Sequence, residues 1–297
     1  MYRLTRRYSA NRPVELHTKN HCFWPRLGKC FGAAAVVTLA LSASGPAAAQ
    51  WLNRPTSGIP RTADGKPNLN APTPRTADGK PDLSGMWGWE DNRPCPADGC
   101  PDQRIGQEFI NIGWSLKGGL PYQPWAAELV KKRSADNSKD DPQSHCLPRG
   151  ALRILTDGLL KKIIQAPGLL VILTERNATY RQIFTDGRPL PADANPSWNG
   201  YSSGKWEGDT LVVETIGFRD DMWLDASGSP LTSAAKVTER FRRPRFGRLE
   251  IEITVDDPKA YTKPWTITLN QPLVADTELL DYICLENERD AAHFVGH

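Results

Sequence analysis

The chain reads as an all-β protein, an antiparallel barrel or sandwich with an irregular N-terminal extension and one short helix. Three observations predict this. From Lys161 onward short β-rich runs follow one another, each closed by a turn signal such as Pro167-Gly168, Asp186-Gly187, Gly208-Asp209, Phe246-Gly247 or Asp257-Pro258. Their spacing of roughly ten residues is that of barrels and sandwiches. Leu249, Ile251, Ile253 and Val255 alternate with Glu250, Glu252 and Thr254, which gives one buried and one wet face. No helices of 10–15 residues separate the runs, so a parallel α/β sheet is excluded.

The elements follow in order. Phe31 to Ala49 is an apolar, small-residue run after seven basic residues, and it ends in Ala47-Ala48-Ala49. That is the layout of a secretory signal spanning 1–49. The rival reading, a retained anchor, is weakened by Ser42, Ser44, Gly45 and Pro46 and by the lack of a cationic flank after the run. The expectation is a periplasmic or secreted protein with no stable membrane span after processing. The first 49 residues hold seven basic side chains and one acidic one, so the remaining 30 basic and 33 acidic side chains leave a net charge of −3. No excess of cations is left to neutralise phosphates, so nucleic acid is not an expected partner.

Residues 50–82 hold a duplication: Pro60-Arg61-Thr62-Ala63-Asp64-Gly65-Lys66-Pro67 returns unchanged as Pro74 to Pro81. Rich in Pro and Gly and without apolar periodicity, it reads as an extended linker. One β domain is expected over 83–297, beginning at Leu83-Ser84-Gly85-Met86-Trp87. Residues 92–158 are loop-rich. A helix is predicted at Pro124–Ser134, with proline at its first position and a stripe of Trp125, Leu129 and Val130. Strands are predicted at Lys161–Gln165, Leu169–Arg176, Thr179–Thr185, Tyr201–Trp206, Thr210–Thr215, Lys236–Arg243, Arg248–Val255, Trp265–Asn270 and Glu278–Cys284.

Four cysteines follow the signal: Cys95, Cys100, Cys146 and Cys284. In an exported chain an even number reads as two disulfides. Three pairings are possible. We favour Cys95–Cys100, around a tight Pro-Ala-Asp-Gly turn, and Cys146–Cys284, which closes the longer loop.

Strand alternation places charges among apolar neighbours. Glu175 shares a parity with Leu169, Val171 and Leu173, Glu239 with Val237 and Phe241, and Arg181 with Ile183. If those faces point inward, Glu239 or Glu175 and Arg181 form a polar cluster inside the barrel, able to orient a ligand or act as acid and base. Aromatic residues Trp87, Trp206, Trp223 and Tyr201 are candidates to line a pocket for a flat or apolar molecule, with Asp225 beside Trp223. A Cys146–Cys284 bond would bring His145 near His293, which adds an imidazole to the candidate catalytic groups. No phosphate-binding loop, dinucleotide fingerprint or zinc-helix motif is present. No cofactor and no metal are therefore expected. The letters Gly200-x-Ser202-x-Gly204 fit a serine nucleophile motif, but that motif needs a strand-to-helix turn and here strand follows strand.

Several segments resemble a large group of exported bacterial proteins with no assigned biochemical role. They are Pro74 to Trp87, Tyr180 to Arg188, Gly204 to Thr215, Trp223-Leu224-Asp225, Val237 to Phe241 and Asp256 to Trp265. The Gly85-x-Trp87 opening followed by a meander of strands is similar to lipocalin-like (calycin) barrels, a likeness that implies fold alone. The expected function is handling of a small apolar or aromatic molecule, by binding or by cofactor-independent acid/base chemistry. The alternative is a non-catalytic structural or interaction protein of the envelope.

Overall fold

The computed structural model describes residues 55–90, 93, 94, 97 and 111–286. Its strands are β1 (Gly85–Trp87), β2 (Lys161–Ala166), β3 (Leu169–Thr174), β4 (Tyr180–Phe184), β5 (Tyr201–Glu207), β6 (Thr210–Ile216), β7 (Met222–Trp223), β8 (Pro230–Leu231), β9 (Lys236–Arg245), β10 (Arg248–Asp256) and β11 (Trp265–Pro272). The helix α1 spans Pro124–Ala135, and two 3₁₀ turns span Pro142–His145 and Arg153–Thr156. Among the described residues no helix is long and apolar enough to cross a membrane.

Nine strands form one sheet in the order β1-β2-β3-β4-β5-β6-β9-β10-β11, while β7 and β8 pair separately. The sheet curls until β1 meets β11. Trp87 bridges Leu273 and Glu90 bridges Asn270, both antiparallel, and Gly88 N–H donates to the Pro272 carbonyl at 2.9 Å. The result is a nearly closed barrel. A ring of nine strands cannot alternate direction all the way round, because alternation needs an even number. One pair must be parallel, and it is β4 with β5, at Ile183–Ser202 and Phe184–Ser203. Every other neighbouring pair of the sheet is antiparallel.

The predicted strands from Lys161 to Asn270 lie where alternation and turn residues placed them. The last predicted strand, Glu278–Cys284, is not one. It makes a single parallel bridge, Tyr282 to Arg176, with Tyr282 N–H donating to the Glu175 carbonyl at 3.0 Å, and side chains add two further ties. Leu280 N–H donates to Glu175 Oε1 at 3.2 Å, and Cys284 N–H to Asn177 Oδ1 at 2.9 Å.

The duplicated segment is extended but docked on the barrel. Each copy folds the same turn, with Gly65 N–H donating to Thr62 O and Gly79 N–H to Thr76 O, both at 2.9 Å. The first arginine of each copy then reaches a different aspartate: Arg61 to Asp276 and Arg75 to Asp209. Between the copies, Phe246 and Gly247 N–H donate to the carbonyls of Ala71 and Leu69. Leu83 and Ala71 are buried with the barrel core.

That core is one continuous cluster. It joins inward residues of the nine-stranded sheet such as Ile172, Ile183, Val213, Phe241 and Ile253 to Met222 and Leu231 of the β7–β8 pair and to Leu155, Phe218 and Leu224 outside the strands. Side chains of this cluster therefore pack the barrel interior, where the sequence allowed a ligand-orienting polar cluster.

Candidate functional site

Arg181 and Glu239 do meet inside the barrel, with exposures of 1% and 0%. Arg181 Nη1 donates to Glu239 Oε1 at 2.9 Å, and Nη2 donates to Glu239 Oε2 and, at 3.0 and 3.1 Å, to the hydroxyls of Thr215 and Ser202. Both charges are matched and walled in by core side chains. Glu175 is elsewhere, because the inward phase of β3 is Leu170, Ile172 and Thr174. Lying just past the strand end, Glu175 is a loop tie. Its two oxygens accept from Leu160 N–H and Leu280 N–H.

The aromatic candidates scatter. Trp87 is fully buried, donates Nε1–H to the Leu83 carbonyl at 3.0 Å and lies 5.0 Å from the Arg243 guanidinium. Tyr201 packs against Phe184 in a tilted arrangement, ring centres 5.3 Å apart. Trp206 is partly buried against the core cluster. Cys95, Cys100 and His293 lie outside the described residues. Cys146 and Cys284 are disulfide-bonded.

Trp223 lines a groove, and the buried Asp225 builds the loop that carries it. Asp225 Oδ1 accepts from Ser229 N–H at 3.0 Å, and Oδ2 accepts from Ser229 Oγ–H at 2.5 Å and Ile112 N–H at 2.8 Å. Burial pushes the Asp225 carboxyl above the usual carboxylate range, opposed by those hydrogen bonds. The loop so formed presents three successive carbonyls to the C-terminal end of α1 and the turn that follows it. Ser138 donates to Ala226 O at 2.7 Å, Ser134 to Ser227 O at 3.4 Å and Arg133 Nη1 to Gly228 O at 2.6 Å. The Arg133 guanidinium lies 4.1 Å from the Trp223 ring centre. Gly228 makes room for it. Its φ is +89°, and a Cβ there would sit 2.5 Å from Arg133 Cδ.

The opposite wall is the Pro142–His145 turn. Asp141 caps it by accepting from Gln143 N–H at 2.9 Å and is itself gripped by Arg153 at 2.7 and 2.5 Å. Cys146 follows with φ +58°. The disulfide and the Asn177 side chain, which donates to Cys146 O at 3.3 Å, hold it in place. Between the walls is a groove of about 410 Å³, lined by Leu129, Lys132, Arg133, Asp136, Asp140, Pro142, His145, Leu147, Asp221 and Trp223.

Sequence reasoning found Trp223, the neighbouring Asp225 and His145, and missed Arg133, Leu147 and Pro142. The predicted apolar stripe of α1 is not a core stripe: Ala126 is its buried residue, Trp125 is 47% exposed, and Leu129 turns to the groove. Among the described residues no group of three or more His, Cys, Asp or Glu side chains is placed to hold a metal ion. The groove lining contains no serine, threonine or cysteine; its charged and titratable groups are Lys132, Arg133, Asp136, Asp140, His145 and Asp221.

No protein-family model matches the chain, and no curated protein matches it in sequence.

Proposed function

We propose that this is an exported small-molecule-binding protein that holds an apolar or aromatic compound in the groove between α1, the Pro142–His145 turn and the Trp223 loop. The observation that carries the reading is the groove itself. It has an apolar floor of Trp223, Leu129, Leu147 and Pro142, set on elements tied by a buried ion pair, a disulfide and a capped turn. Its volume of about 410 Å³ falls within the roughly 300–1,000 Å³ usual for small-ligand sites. Binding is favoured over acid/base turnover because Glu239 and Glu175, the carboxylates that strand alternation marks for such chemistry, already have internal partners. The secretory signal expected at 1–49 and the Cys146–Cys284 bond fit an oxidising compartment.

Native mass spectrometry of the protein from a periplasmic extract tests this, comparing wild type with Leu129→Asp. The expected result is a bound compound on wild type that the variant loses. Retention of the same compound by Leu129→Asp would place it elsewhere and end the groove reading.

A further inference from the structure

Resting on that reading, we propose that the groove selects an acid: an aromatic or apolar molecule bearing a carboxylate or a similar oxyanion, received by Arg133. One guanidinium nitrogen, Nη1, is committed to the Gly228 carbonyl, and the plane lies on the Trp223 ring. Nη2 and Nε make no other hydrogen bond or ion pair among the described residues. They are not among the buried polar atoms left without partners, so solvent reaches them from the groove. A half-buried cation with two open donors and a fixed orientation is the fork geometry that binds carboxylates two-handed.

The other charges do not reverse this sign. Asp221 is already paired with Arg219 at 2.8 and 2.6 Å. Asp136 and Asp140, like Lys132 and His145, are exposed where they line the groove, and water and salt weaken every charge there. Arg133 is the desolvated one. Burial lowers its pKa, and the lowering is only partly opposed by Asp141, Asp225 and Asp140 at a distance. An incoming anion would supply the compensation those carboxylates do not.

The test uses two flat probes that differ only in charge, 2-naphthoate and its neutral amide, 2-naphthamide, titrated into the intact protein by calorimetry at pH 7. The acid is expected to bind at least about tenfold tighter, the scale of one charge-assisted hydrogen-bond pair. Arg133→Gln should erase that preference, the acid falling to the affinity of the amide in the same variant, with circular dichroism checking that the variant is folded. Equal affinities in wild type, with amide binding lost in Leu129→Asp, would overturn the acid selection and leave the groove reading standing. A preference that survives Arg133→Gln would overturn the role given to Arg133. Failure of both probes to bind would count against the groove reading as well. The wild-type comparison decides the question even if a variant folds poorly.

Discussion

Arg181 on β4 crosses the inner faces of two intervening strands to grip both carboxylate oxygens of Glu239 on β9. Each strand between contributes a hydroxyl along the way, Ser202 from β5 and Thr215 from β6. One side chain thereby ties four successive strands of the wall, including the parallel pair. Sliding any of them by one residue would turn its contact out of the barrel and leave a buried charge unmet. The arrangement reads as a register lock rather than an acid/base pair.

Glu239→Gln tests this. Removing one partner of a buried pair leaves the other charge stranded, at a cost of about 3–5 kcal/mol. Urea unfolding should show that loss. The double change Arg181→Met with Glu239→Leu should cost at least about 1 kcal/mol less than the sum of the two single changes. A Glu239→Gln protein within about 0.5 kcal/mol of wild type would refute the lock.

Lys161 sets a pH dependence. It is 2% exposed, and its ammonium donates to Gln271 Oε1 at 3.1 Å and, more weakly, to the carbonyls of Asp157 and Gly88. Burial lowers its pKa to about 8. Between that value and the ordinary lysine value of 10.5, the unfolded chain holds a proton that the native chain has released. Stability from this group therefore rises as pH climbs through that window, and the cost of burying the charge is fully present below about 8. Its size is of order 3 kcal/mol. Lys161→Met is expected to stabilise the protein at pH 7, with the advantage shrinking toward pH 10. A constant difference between variant and wild type across pH 7–10 would refute the assignment.

The Cys146–Cys284 bond spans 138 residues of sequence. Its removal by paired serine substitution should cost about 3 kcal/mol, or roughly 6–12 °C in Tm for a domain of this size. Amide hydrogen exchange should rise in 142–147 and 280–286 before the barrel strands. Unchanged exchange in both segments would show that Asn177 and Glu175 suffice to hold them.

The duplicated arm can be detached selectively. A Cβ on Gly247 would lie 2.5 Å from Leu69 Cβ and 2.8 Å from the Leu69 carbonyl oxygen, atoms that no rotamer change can move away. Gly247→Ala should free 60–75 to limited proteolysis while costing about 1–3 kcal/mol. Cleavage no faster than in wild type would mean that the arm holds by Arg61 and Arg75 alone.

Most strands were legible because a two-residue alternation bounded by Gly, Pro and Asp turns is a local signal, read without knowing any partner. The inward placement of Glu239 and Arg181 was legible for the same reason. Their pairing was visible only as a possibility, and Glu175 was misjudged because β3 points its other parity inward. The strand expected at Glu278–Cys284 failed because its composition is β-like but no ladder edge is there to receive it. Arg133 was hidden because a basic residue on a polar helix looks like any solvated charge until a second segment supplies Trp223 and the Gly228 carbonyl.

The amino-acid order alone determined the strands of the sheet up to Asn270, the helix and the turns between them, since those depend on neighbours two to four positions away. Closure of the ring, the parallel β4–β5 pair and the groove beside Trp223 were decided only in three dimensions. They join residues roughly 20 to 190 positions apart, and local patterns carry no record of which distant surfaces will meet.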